Sequence, residues 1–282
     1  MRKIRMVAPY FGTKPVWFPA FYYSCAMNPT IDWLFFVDFE IPTTKYPNIQ
    51  FETSTIDEFN QFASQKLNLH IQKEPWPLVD LKPAHGVIFE EYLNGYDFWG
   101  HFDIDLVWGN IRNFITDDML DYYHIITTRR DEIAGHFTIY RNIPEINHLF
   151  EQEPDYKTHL TQPTGSQFDE LIMTNLLNQL GKKDGYQWLN VSWSDPERVA
   201  GLVDLRRHPY GWQWKNGDIY HNGRLSDKMY VHFLEWKQSI HHIDFETGDH
   251  PPMFTIEPTG IYLKSPFRLA IERGLRAWRS IR

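Results

Sequence analysis

Tyr96-Asp97-Phe98-Trp99-Gly100-His101-Phe102-Asp103-Ile104-Asp105-Leu106-Val107-Trp108-Gly109 is the stretch that decides the fold class. It opens as an apolar, aromatic run and then sets two aspartates either side of Ile104. Such a run reads as a buried strand of an open α/β sheet. The strand end would deliver Asp103 and Asp105 to the carboxyl edge, where such sheets bind ligands. Two acids there repel each other unless a divalent cation or a shared proton relieves them.

Working upstream, Asp80-Leu81-Lys82-Pro83-Ala84 leads into a helix through about Leu93, stopped by Asn94-Gly95. Ile4–Tyr10 reads as the first strand, Phe11–Lys14 as a turn, Pro15–Met27 as a helix and Trp33–Val37 as a second strand ending at Asp38. That order predicts a right-handed βαβ unit with parallel strands. Ile49–Phe51 reads as a third strand, and Thr55-Ile56-Asp57-Glu58 as a capped helix start. Downstream, His124–Thr128 and Phe137–Tyr140 read as strands around Gly135-His136. Phe168–Leu180 reads as a helix with Asp169 and Glu170 in its first turn, and Met229–Leu234 as a short strand. Residues 186–224 read as loops with short strands. The simplest division is one domain over 1–250 and a tail over 251–282.

The 282 residues suffice for a sizeable core. The 11 Trp, 15 Tyr and 20 Phe exceed what packing needs, a surplus that often lines sugar or base sites. Cys25 is the only cysteine, so no internal disulfide forms, in keeping with a reducing cytosol. The N-terminus lacks the pattern of a signal peptide, and no apolar segment reaches the roughly 18 residues of a membrane span. Net charge is −8; from Lys264 onward six basic residues face only Glu272, a local +5, which leaves −13 for the remainder. A body that acidic argues against nucleic acid. In the tail, Phe267, Ile271, Leu275, Trp278 and Ile281 fall near one helical face among arginines. This is the pattern of a basic amphipathic helix lying on an anionic membrane, or docking on the acidic body.

Pro9-Tyr10-Phe11-Gly12, the block from Leu81 to Thr116, Gly135–Asn142, Phe168-Asp169-Glu170 and Tyr230-Val231-His232-Phe233 together resemble a bacterial family of uncharacterised, glycosyltransferase-like proteins. That family is similar to GT-A glycosyltransferases of capsule and O-antigen polysaccharide synthesis. The resemblance implies a GT-A-like, Rossmann-type α/β fold: a mixed, mostly parallel central sheet flanked by helices. It implies a nucleotide-sugar-dependent hexosyltransferase with a UDP-sugar donor and a glycan or lipid-linked glycan acceptor, placed in the cytoplasm or on the cytoplasmic face of the inner membrane.

By that resemblance Asp103 and Asp105 form a DxD motif that holds a metal against the donor diphosphate, with His232 as third ligand. Carboxylates with an imidazole suit Mn²⁺; Mg²⁺ prefers oxygen throughout. Tyr10, Phe11, Gly12, Asp38, Asp80 and Lys82 would meet the nucleoside and phosphates, and Gly135 and His136 the transferred sugar. Asp169 or Glu170 would deprotonate the acceptor in an inverting displacement. Trp188, Trp193, Trp212 and Trp214 are candidate platforms for acceptor sugars. Two other functions compete. Asp103-Ile104-Asp105-Leu106-Val107 also fits the DxDxV nucleophile of haloacid-dehalogenase-type phosphohydrolases, although that motif normally follows a domain's first strand. Aromatic content alone would also suit a non-catalytic glycan-binding protein.

Overall fold

The computed structural model describes residues 1–180, 189–192, 209–234 and 236–264. The tail 265–282, with Trp188 and Trp193, lies outside the described residues. Contacts divide the chain into two units. The first comprises Met1–Lys14, Pro29–Ile104 and Arg112–Gly201; the second comprises Pro15–Asn28, Asp105–Ile111 and Leu202–Arg282.

The first unit is built on a six-stranded sheet of β1 (Ile4–Tyr10), β2 (Ile31–Val37), β3 (Ile49–Thr53), β4 (Phe98–Phe102), β6 (Ile125–Thr127) and β7 (Phe137–Arg141); β5 (Leu106–Trp108) belongs to the second unit. The order is β3-β2-β1-β4-β7-β6. β1 runs parallel to β2 and β4, β2 runs parallel to β3, and β7 is antiparallel to both neighbours. This is the mixed, mostly parallel sheet expected from the sequence. β2 is buried at six of seven positions, as a strand covered on both faces must be.

Helix α2 (Ile56–Leu67) opens with a reciprocal cap: the Glu58 amide donates to Thr55 Oγ1 at 3.2 Å, and the Thr55 amide donates to the Glu58 carboxylate at 2.7 Å. Phe59 from this helix packs with Phe36 and Phe89, rings 5.9 and 6.0 Å away. The expected helix before β4 is irregular: a 3₁₀ segment Trp76–Ala84, one α-turn His85–Ile88 and a 3₁₀ turn Glu90–Leu93. Pro83, which has no N–H to donate, interrupts the α-helical ladder there. Phe168–Leu180 is also not one α-helix, because Phe168–Ile172 forms a π-helical turn ahead of Met173–Leu180.

The second unit carries α1 (Phe18–Ala26), β5, β8 (Trp212–Lys215), β9 (Asp218–His221), β10 (Arg224–Leu225), β11 (Tyr230–His232), β12 (His242–Ile243), β13 (Met253–Glu257) and β14 (Gly260–Tyr262). Its larger sheet has the order β10-β9-β8-β13-β14-β12, while β5 pairs antiparallel with β11. Strand β13, paired with β8, and strand β14 of the same sheet thus lie beyond residue 250, where the sequence reading divides the chain. Asn216-Gly217 and Asn222-Gly223, all at positive φ, turn the β8–β9 and β9–β10 hairpins. Helix α1 follows β1 in sequence but packs with β5: the Trp108 amide donates to Ser24 Oγ at 3.0 Å and the Ile111 amide to Asn28 Oδ1 at 2.9 Å.

Candidate functional site

The stretch 96–109 is two strands, not one. β4 ends at Phe102, β5 begins at Leu106, and Asp103-Ile104-Asp105 is the break between two sheets. Aspartate fits a pleated ladder poorly, so the carboxylates sit where pairing stops. The Asp103 amide still donates to His136 O at 3.2 Å. Its carboxylate accepts from Lys82 Nζ at 2.6 Å. The same ammonium donates to Gly135 O at 2.9 Å and stands 3.6 Å from Asp169 Oδ2.

Asp169 and Glu170 project from the π-helical turn, which follows Gln167 in the left-handed region at φ +60°. Both acids close on Gly135. A Cβ there would lie 2.5 Å from Asp169 Oδ2 and 2.9 Å from Glu170 Cγ, so only glycine allows the approach. Glu170 Oε1 accepts from the Gly135 amide at 3.0 Å and pairs with Arg129 at 3.3 Å. Asp169 is buried, and burial pushes its carboxyl up to about 7; Lys82 opposes the rise, while the charges of Asp103, Glu170 and Asp80 add to it. An acid tuned there exchanges protons near neutral pH.

In the second unit the β5–β11 pairing sets His232 opposite Leu106, and the Phe233 amide donates to Asp105 O at 2.8 Å. His232 Nε2 then meets Asp105 Oδ2 at 3.1 Å, and Lys237 Nζ meets the same oxygen at 2.7 Å. Burial alone would raise the Asp105 carboxyl. The hydrogen bond and charge of His232, with the charge of Lys237, outweigh it and hold the group well below the usual carboxylate range. Only Ile104 separates the two aspartates, so local chain geometry sets their spacing. Asp103, Asp105 and His232 each offer a ligand atom within 4.8 Å of the others. Ligands about 2.1 Å from one ion stand roughly 3–4 Å apart, so these side chains could hold one divalent cation after a small inward movement.

The remaining expected residues fare unevenly. Gly12, at φ +113°, donates its amide to Asp38 at 2.8 Å, which joins those two sequence candidates. Tyr10 OH donates to Thr13 O at 2.9 Å. Phe11 is a core residue packed on Phe59, so its ring is not presented for base stacking. Asp80 is sealed in the interior by Lys73 and by the amides of Ser166 and Phe168, which corrects its placement at the donor. His136 is buried as well, and it is the Gly135 Cα face that the acids occupy. Trp212 and Trp214 are core side chains and offer no sugar platform. Lys237 and Arg129 were missed. Neither falls in a motif, and each reaches the site through a partner distant in sequence, Asp105 and Glu170.

A model of a family of unknown function, DUF6625, matches residues 6–264. No curated protein matches the chain. Several solved structures are similar to it. The galactosyltransferase LgtC in complex with donor and acceptor sugar analogues is 12% identical, with 82% of this chain and 87% of that chain covered at a TM-score of 0.42. Mouse xyloside xylosyltransferase 1, apo form, is 10% identical, with 82% and 97% covered at 0.36. The glycosyltransferase GlyE of Streptococcus pneumoniae TIGR4 is 11% identical, with 67% and 44% covered at 0.32.

Proposed function

This chain belongs to the DUF6625 family of unknown function, and we propose that it is a metal-dependent glycosyltransferase that moves a hexose from a nucleotide sugar, UDP-linked, to a glycan acceptor. The observation that carries the reading is the Asp103–Asp105–His232 set beside the Lys82–Asp169 pair. Three ligands would hold the ion, and a separate acid with its carboxyl near 7 stands on the other side of Lys82. The bound cation would supply Lewis-acid neutralisation of charge on the departing nucleoside diphosphate.

The chain's own residues divide the remaining work. Asp105 stays ionised and so is ready to ligate. The half-exposed Lys237 adds positive charge beside it for the phosphates. Lys82 neutralises Asp103 and steadies Asp169. Asp169 takes the acceptor's hydroxyl proton, giving inversion at the anomeric carbon, while Glu170 is anchored by the Gly135 amide and Arg129. The phosphohydrolase reading fits less well, since it needs the second aspartate as acid/base, and Asp105 Oδ2 is held by Lys237 at 2.7 Å and His232 at 3.1 Å with its carboxyl well below the usual range.

The resemblance of the 81–116 block supports a bacterial surface-polysaccharide acceptor, O-antigen or capsule. If that acceptor is lipid-linked, the basic tail would place the protein as a peripheral membrane enzyme on the cytoplasmic face. Calorimetry with UDP, with and without Mn²⁺, is the direct test: binding should need the metal and vanish with a chelator. Absence of binding in Mn²⁺ would overturn the reading. Proton NMR of freshly formed product then reads the anomer, and a retained configuration removes Asp169 as base.

A further inference from the structure

Asp80 lies two residues before Lys82 on the 3₁₀ segment and is wholly buried. Its carboxylate accepts from the Ser166 amide at 2.9 Å and from the Phe168 amide at 3.0 Å, and it pairs with Lys73 Nζ at 3.0 Å. Lys73 is equally enclosed. Its ammonium donates to His159 O at 2.9 Å and its amide to Asn60 Oδ1 at 3.1 Å. A buried ion pair usually gains little stability over a well-packed apolar pair, so its use lies elsewhere.

That use is visible in what the carboxylate grips. Ser166 and Phe168 flank Gln167, whose φ of +60° is one that side chains other than glycine's rarely adopt. Beyond it, the wide π-helical turn aims Asp169 at Lys82 and Glu170 at the Gly135 amide. Turns of this kind are rare and recur at functional sites.

We propose that Asp80 is a positioning residue: its buried carboxylate, balanced by Lys73, clamps the 166–168 turn and so fixes Asp169 in place for proton transfer. The proposal rests on the reading of Asp169 as the base. It also explains why Asp80 and Lys82 share one short helical segment. Through Asp80 that segment holds the acid turn, and through Lys82 it holds Asp103.

Two variants test the clamp. Lys73→Met with Asp80→Asn removes both charges together and leaves no lone buried ion. Ser166→Pro deletes one gripping amide and spares the ion pair, and Gly165 before it tolerates the restriction proline imposes. The primary readout is a carboxyl-carbon NMR titration of Asp169, assigned by its loss in Asp169→Asn, which needs no turnover. Wild-type Asp169 should titrate near about 7. In Ser166→Pro, which keeps the Asp80 charge, it should move toward about 4, the ordinary aspartate value, and in the double variant the shift should exceed what loss of the Asp80 charge alone produces, as calibrated by the titration in added salt. The kcat for transfer should fall at least tenfold, with metal-dependent UDP binding unchanged. A folded variant with the wild-type titration and kcat overturns the clamp, as does unfolding of both variants, which would make Asp80 a folding residue only. If the wild type transfers no sugar but the titration still moves, the clamp stands and the glycosyltransferase reading falls.

Discussion

Asp105 and Asp169 are buried to the same depth, 3% and 4% exposed, but their protons are held in opposite ways. Asp105 lies well below the usual carboxylate range and Asp169 is raised to about 7. Burial pushes both upward, so the difference comes from partners. Asp105 has two of its own, His232 at 3.1 Å and Lys237 at 2.7 Å. Asp169 has Lys82 at 3.6 Å, and that ammonium lies closer to Asp103, at 2.6 Å. A metal ligand must stay deprotonated, whereas a base works best near ambient pH. The partner sets therefore hold two aspartates of equal burial at opposite ends of the carboxyl range, as the proposed ligand and base would each require.

The largest expected effect comes from removing the ionised member. Asp105→Ala should weaken Mn²⁺-dependent UDP binding by at least ~100-fold, beyond what loss of an outer-shell partner costs, as read by calorimetry on a variant with unchanged circular dichroism. Wild-type affinity in that variant would break the metal half of the comparison. Asp169→Asn comes next: kcat should drop by roughly 10²–10⁴ with UDP binding intact. The acid limb of kcat/KM near 7 should vanish with it.

Stability should separate the two residues with opposite signs. For Asp169 the folded state binds its proton more tightly than the unfolded chain, so its contribution favours folding below about 4 and is lost as pH rises through about 7. For Asp105 the unfolded chain binds the proton more tightly, so stability is present above about 4 and is lost as pH falls. Asp169→Asn should therefore flatten the loss of melting temperature that the wild type shows between pH 5 and 8. Parallel slopes for the two proteins in that window would refute the raised carboxyl.

What was legible in the sequence was what short-range pattern encodes. The β1 and β2 runs, the Thr55–Glu58 cap and the arrival of two carboxylates at the end of β4 all follow from neighbours a few residues apart. His232 was reachable only through the family resemblance. The burial of Asp80 was not legible, because it depends on amides 86 and 88 residues away and on Lys73. Nor was the split of 96–109 between two sheets, since an apolar run does not say which strand it will pair with. Lys237 carries no local mark at all. Trp212 and Trp214 illustrate the converse: as candidate sugar platforms they are indistinguishable in sequence from packing residues, and they are core.

Two smaller effects sharpen the comparison further. Gly135→Ala places a methyl 2.5 Å from Asp169 Oδ2 and 2.9 Å from Glu170 Cγ, so at least one acid must move. Overpacking of that order costs about 1–3 kcal/mol, a loss of several degrees in melting temperature, with kcat falling and UDP binding spared. An unchanged kcat would mean that the approach of the acids to Gly135 has no part in catalysis. Lys237→Ala should do least. The ammonium is half exposed, where water screens its pairing, and Asp105 keeps His232. UDP affinity should therefore fall less than about tenfold, equivalent to about 1.4 kcal/mol. A loss as large as that of Asp105→Ala would show that ligand and lysine act as one unit, and that Asp105 owes its ionised state to Lys237 rather than to His232.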